Sequence, residues 1–324
     1  MPNSNHLSTT HQMVNLSNGQ LALLMRHKTG RGELSPLPDL SGFEPAEGDR
    51  ELLCAEGFLD PQGVPTPYWG RVSNVLADPT VQVTAAVGNA DGLGTIHGYG
   101  GRGEGVLVGY TAVGEGEHRI NLSLEPGHLT GFLAKGLGLT APVEPLGVVA
   151  ELSQQALLAM AGLVDAAREQ HLESLIARQP DEKIGVWPAA VLVSLRMATL
   201  SDDFRWLSGM VWRLLPLALE LQEAEIRSGL DDLIALGWIA AGPSGSLVMT
   251  GDLDLAGLHL SAPLAFGVLS LLCQGQEDPE RLHLGVVRTL GSVWMLDFIP
   301  GRPWKVRLAS VAGLELARVI QNAL

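Results

Sequence analysis

Cysteine is nearly absent from this 324-residue chain, with Cys54 and Cys273 the only two. Both lie in apolar surroundings, where a small buried hydrophobe is the ordinary use of the residue, so no disulfide framework underlies the fold. Positive charge is also short: 21 Lys and Arg stand against 35 Asp and Glu, a formal net charge of -14. That balance repels a phosphate backbone, and nucleic-acid binding would need a local basic patch to overcome it. The densest basic runs, Arg26-His27-Lys28 with Arg31 and the stretch from Arg302 to Arg307, are too small for that. Residues 1 to 20 lack a charged segment followed by an apolar one, so no secretory signal is read and the cytoplasm is the expected compartment. Long apolar runs are missing as well. No charge occurs between Asp254 and Glu277, yet the most apolar part, Leu264 to Cys273, is shorter than the roughly 20 residues that span a bilayer and reads as a buried helix.

The spacings that carry chemistry are equally scarce. None of the nine histidines forms an H-x-x-x-H pair, there is no C-x-x-C, and Asp252 and Asp254 beside Gly251 read as a solvated turn. No G-x-S-x-G elbow places a nucleophile. Gly98-Tyr99-Gly100-Gly101-Arg102-Gly103 satisfies a dinucleotide-binding string, but that chemistry needs the glycines to open a helix, and here they run into the strand-like Val106 to Tyr110. The expectation is therefore no catalytic residue, no cofactor and no metal. Gly88 to Gly105 reads instead as a long, low-complexity loop between strands.

What is present is an apolar chain, 46% hydrophobic with a mean hydropathy of +0.20, that carries the same pattern twice. Leu53-Cys54-Ala55-Glu56-Gly57-Phe58-Leu59 realigns with Leu233-Ile234-Ala235-Leu236-Gly237-Trp238-Ile239, in both places a helix end, a Gly and an aromatic-aliphatic pair. Tyr110 to Leu124 and Phe298 to Ala309 each read as strand, tight turn and return strand, followed by a terminal helix. The expected class is α+β, a pseudo-two-fold duplicated module with winged-helix-like hairpins. Residues 1–14 are read as disordered, 15–140 as the first module and 148–324 as the second, which contains long helices over 148–179 and 202–226 with a kink at Pro216. Leu233 to Thr250 has the shape of a winged helix's last helix and wing. It contains no Lys or Arg, so protein contact is favoured over DNA. A winged-helix-derived transcriptional regulator or ligand-binding adaptor is the alternative.

Glu51 to Gly63, followed by Val75-Leu76-Ala77-Asp78-Pro79, and the C-terminal Trp294 to Phe298 with Gly301-Arg302 and a last apolar helix resemble the EspG family, the cytosolic chaperones of type VII (ESX) secretion systems. The resemblance implies a central antiparallel sheet flanked by helical bundles. It also implies a protein partner, a helical secreted substrate of the PE/PPE type whose aggregation-prone tip is kept soluble. His97, Tyr99 and Arg102 in the Gly-rich segment, with Trp238 and Trp304 among the Trp residues crowded beyond residue 180, are the candidate partner contacts; no nucleic acid and no membrane span are expected.

Overall fold

The computed structural model describes residues 13–28, 30–101, 107–178, 185–201, 203–216, 221–274, 280–301 and 304–323. It is an α+β fold. The chain forms two compact units, one of residues 1–84, 95–129 and 271–281, the other of 85–94, 130–270 and 282–324.

The first unit opens with β1 (Met13–Ser17), whose last residue is also the N-cap of α1 (Asn18–Met25). Ser17 Oγ accepts from Gln20 N while Gln20 Oε1 accepts from Ser17 N, a reciprocal cap that satisfies two donors otherwise orphaned at the helix start. After α2 (Asp49–Ala55), α3 (Pro67–Ala77) starts on a proline, whose missing N–H costs nothing in the first turn. It buries Trp69, Val72, Val75 and Leu76, the helical spacing that makes one face apolar. The strands β2 (Val81–Asn89) and β3 (Gly92–Gly100), of which residues 85–89 and 92–94 belong to the second unit, β4 (Leu107–Gly114) and β5 (Glu117–Leu124) follow. In β5 the residues His118, Ile120, Leu122 and Leu124 are buried in strict alternation, the period-two signature of a strand with one covered face.

The second unit contains most of α4 (Pro126–Gly136), then β6 (Val149–Ser153) and α5 (Gln154–Ala177), which packs against α6 (Pro188–Leu200), α7 (Leu207–Leu214) and α8 (Glu223–Ala235). The hairpin β7 (Ile239–Ala241) and β8 (Leu247–Met249) leads through α9 (Gly251–Leu260) to β9 (Pro263–Cys273), β10 (Glu280–Thr289), β11 (Val293–Ile299), β12 (Lys305–Val311) and α10 (Gly313–Ala323). The core gathers Leu157, Leu163, Met210, Leu233, Trp294 and Phe298, all essentially inaccessible to solvent.

Among the described residues one run of hydrogen-bonded strands is β1-β5-β4-β3-β2 and another is β6-β12-β11-β10-β9, and the hairpins β4–β5, β10–β11 and β11–β12, like the pairs β1–β5 and β12–β6, are antiparallel. Each run follows the same chain sequence: first, fifth, fourth, third, second. The local geometry repeats as well. Phe58 N donates to Leu53 O at 2.9 Å past Gly57 (φ 76°), and Trp238 N donates to Leu233 O at 3.0 Å past Gly237 (φ 71°). In both places the glycine takes the left-handed conformation that closes a helix. Thr66 N and Thr250 N then donate to Phe58 O and Trp238 O, and each threonine is the N-cap of the next helix.

Several expectations are corrected. Residues 1–12 lie outside the described residues, but Met13 and Val14 pair with Asn121 and Ile120, because a short strand precedes α1. The helix expected over 148–179 begins at Gln154: residues 149–153 are a strand on β12, and Ser153 caps the helix by accepting from Ala156 N at 3.0 Å. The helix expected over 202–226 is two helices. Leu215 is extended (φ -66°, ψ 134°), as steric conflict with the Pro216 ring demands of the residue before it, so α7 ends at Leu214 and does not kink. Leu264 to Cys273 is not a buried helix but most of β9. Gly88 to Gly105 is not a loop: β2 extends to Asn89 and β3 occupies 92–100, while 102–106 lie outside the described residues. Its glycines serve close packing. A Cβ at Gly88 would sit 2.1 Å from Phe266 Cε1, and one at Gly98 would sit 2.8 Å from Leu124 Cδ2.

Candidate protein-binding surface

The residues singled out from sequence are dispersed. His97 is half-buried on β3, its Nδ1 3.1 Å from Thr84 Oγ1, and burial pushes its imidazole below the usual range. Tyr99 (6% exposed) and Trp238 (5%) are core side chains, so neither presents a free ring to a partner. Trp304 is half-buried against the second unit's core. Arg102 lies outside the described residues.

An apolar surface that sequence inspection did not single out lies on α6. Pro188 starts this helix and the sequence PAAVLVSLRMATL carries one charge, Arg196. Val191, Leu195 and Ala198 form its buried face, which approaches α5 closely at Gly162: a Cβ there would lie 2.9 Å from Leu195 Cγ and 3.0 Å from Val191 O. A helix apolar all round is ordinarily enclosed on every side. Here the opposite face is open, with Val193 at 56%, Met197 at 60% and Leu200 at 84% exposure, one helical turn apart. Trp187, immediately before the helix, is half exposed, and Leu172, Leu175 and Ile176 near the end of α5 are exposed as well. The signal was available: α6 has apolar residues on two helical stripes where a surface helix needs one.

Polar contacts tie α5 to the start of α7. Asp165, buried within α5, accepts from Leu207 N at 3.0 Å and Ser208 N at 2.7 Å, which caps α7 where Trp206 offers no side-chain acceptor. Burial raises the Asp165 carboxyl above its ordinary value, against the lowering effect of these hydrogen bonds. Arg168 lies 4.7 Å from the Trp206 ring centre and donates to Arg205 O. Asp203 is held at about 2 by its bidentate partner Arg205, although burial opposes this.

A short hairpin stands where the wing is expected. β7 and β8 pair through Ala240 and Val248, and Val186 adds a bridge to Leu247. Among the described residues no group of three or more His, Cys, Asp or Glu could hold a metal ion, and no helix is long and apolar enough to cross a membrane.

No protein-family model matches the sequence, and no curated protein matches it. Among solved structures the chain is similar to the Mycobacterium tuberculosis type VII secretion system chaperone EspG5, solved in complex with a PE25–PPE41 dimer. The likeness covers 96% of this chain and 94% of that one, at 12% identity and a TM-score of 0.46. No residue role is carried across at that identity.

Proposed function

We propose that this chain is a non-enzymatic binding protein that holds a helical, aggregation-prone protein partner in the manner of a type VII secretion chaperone. The observation that carries the reading is the open apolar face of α6: Val193, Met197 and Leu200 are exposed at helical spacing on a helix already buried on its other side. Contiguous apolar surface of this kind marks protein contact more often than idle surface. The motifs from Glu51 to Gly63 and from Trp294 to Phe298, similar to those of the EspG family, support a partner of the PE/PPE type and a cytoplasmic setting. Half-buried His97 and Trp304 are kept as secondary contact candidates.

We also read residues 15–140 and 148–324 as two copies of one module. The matching strand order and the paired Gly57/Gly237 and Thr66/Thr250 geometry support this. In the second copy the module's wing-like hairpin has no basic residue, so it is assigned no phosphate contact.

The test is co-purification of the intact chain with candidate PE/PPE pairs, alongside the Val193→Glu, Met197→Glu double variant. Retained capture by a variant that keeps its thermal midpoint would remove α6 from the reading. Failure of the intact chain to capture any such pair would remove the chaperone assignment.

A further inference from the structure

The basic run Arg26-His27-Lys28 is too small to hold a nucleic acid, and the binding surface on α6 does not use it. In the first unit it lines two neighbouring clefts beside α1. One, of about 610 Å³, is lined by Arg26, Lys28 and Arg31 together with the carboxylates Asp39 and Glu44. Two of its three cations are already engaged, Arg31 with Asp39 and with Leu37 O, and Lys28 with Asn74 Oδ1, while Arg26 is shared with the second cleft.

The other cleft, of about 540 Å³, differs. Arg26, His27 and Arg50 line it, no Asp or Glu does, and its apolar wall includes Leu23, Leu59 and Val64. In a chain of net charge -14, a cleft lined by cations without carboxylates is against expectation. Glu47 and Glu51 adjoin its wall residues in sequence but are exposed and do not line it, while two further carboxylates are taken up by the walls themselves. Asp49 accepts from Ala46 N and Gln20 Nε2, and Asp60 accepts from Gln62 N and Val64 N across the turn. Arg50 is steered by its bond to Gln62 O at 2.6 Å and lies where a Cβ on Gly63 would stand. Arg26 shares no ion pair or side-chain hydrogen bond with any described residue.

We propose that this cleft binds a small organic anion, with Arg26 and Arg50 on its carboxylate or phosphate and Leu23, Leu59 and Val64 against a short apolar body. Guanidinium groups suit both oxyanions because their planar fork can give two parallel N–H bonds. An open pocket of a few hundred Å³ fits a ligand of this size, apolar over most of its surface with a few fixed polar contacts.

Calorimetric titration of the full chain with octanoate, hexyl phosphate and the uncharged octanol tests it. Saturable binding of one or both anions is expected, the tighter identifying the head group, with octanol bound far more weakly. Arg26→Gln should weaken the anion by about tenfold, as loss of one charge-assisted contact implies. The side chain of this arginine makes no hydrogen bond or ion pair among the described residues, and its backbone bond to Leu23 O does not depend on the side chain, so the variant should fold as the parent does. Arg50→Gln should act in the same direction, with circular dichroism to confirm the turn. Equal affinity for octanoate and octanol, no binding of either anion, or an unchanged affinity in Arg26→Gln overturns the proposal. The outcome is independent of whether α6 captures a protein.

Discussion

Thr66 and Thr250 make the same bond in two places: the hydroxyl of each donates to the carbonyl of a left-handed glycine, Gly57 at 3.1 Å and Gly237 at 2.9 Å. Each bond ties the start of one helix to the end of the one before. Thr66→Val and Thr250→Val should therefore each destabilise by about 1 kcal/mol, the net value of one such hydrogen bond. Chemical denaturation of the two variants checks this, and a cost at one site alone would break the equivalence.

Asp165 caps α7 from inside the core. Replacing it by Ala leaves Leu207 N and Ser208 N without their acceptor and should cost about 2 kcal/mol or more, whereas Asn, which keeps one oxygen, should cost less. Its folded value is raised above 3.8, so the folded state holds this proton more tightly than the unfolded one. The parent's stability relative to Asp165→Asn should accordingly be greatest below that ordinary carboxylate value and decline as pH rises through the raised one. Denaturant midpoints of both proteins across an acid-to-neutral series would show it.

Burial lowers His97, His118 and His283 below 6.5. His118 bridges Tyr110 and Asn18, its Nδ1 2.8 Å from Tyr110 OH and its Nε2 2.7 Å from Asn18 Oδ1. A histidine kept neutral by the fold contributes stability above its unfolded value, and that contribution is lost as pH falls through the window below 6.5. The thermal midpoint should fall on acidification through that range. In His118→Gln the slope should be shallower, and an identical slope would show that this imidazole is not among the groups responsible.

Gly88 leaves space for the Phe266 ring. Gly88→Ala should cost about 1–3 kcal/mol through overpacking, and Phe266→Leu in the same chain should recover part of it. Deleting residues 92–103 removes β3 from the sheet, so the expected result is loss of the folded state rather than selective loss of a partner. Calorimetric melting of each variant decides both points.

Substitutions on the open face of α6 should behave in the opposite way. Val193→Ser and Met197→Gln change side chains that are more than half exposed and should leave stability within about 0.5 kcal/mol, the usual range for surface changes. A large loss of stability would mean that this face is packed in the folded chain.

What the sequence determined by itself is local. Gly57 and Gly237 ended their helices because a glycine takes positive φ without a clash, Pro67 and Pro188 started theirs, and the turn at Glu115-Gly116 closed the β4–β5 hairpin. Each of these rests on one or two residues and their own backbone. Tertiary structure decided the rest. Leu264 to Cys273 is apolar without a period of two, because β9 is covered along much of its length on both faces, and such a run reads equally as helix until its neighbours are placed. The glycines from Gly88 to Gly100 suggest a loop until Phe266 and Leu124 fill the space a Cβ would take. Tyr99 and Trp238 had the chemistry of contact residues, and only packing put them in the cores. Met197 and Leu200 had the chemistry of core residues and were left in solvent, because a thirteen-residue helix packs Val191, Leu195 and Ala198 against its neighbours α5, α7 and α8 and leaves these two side chains more than half exposed.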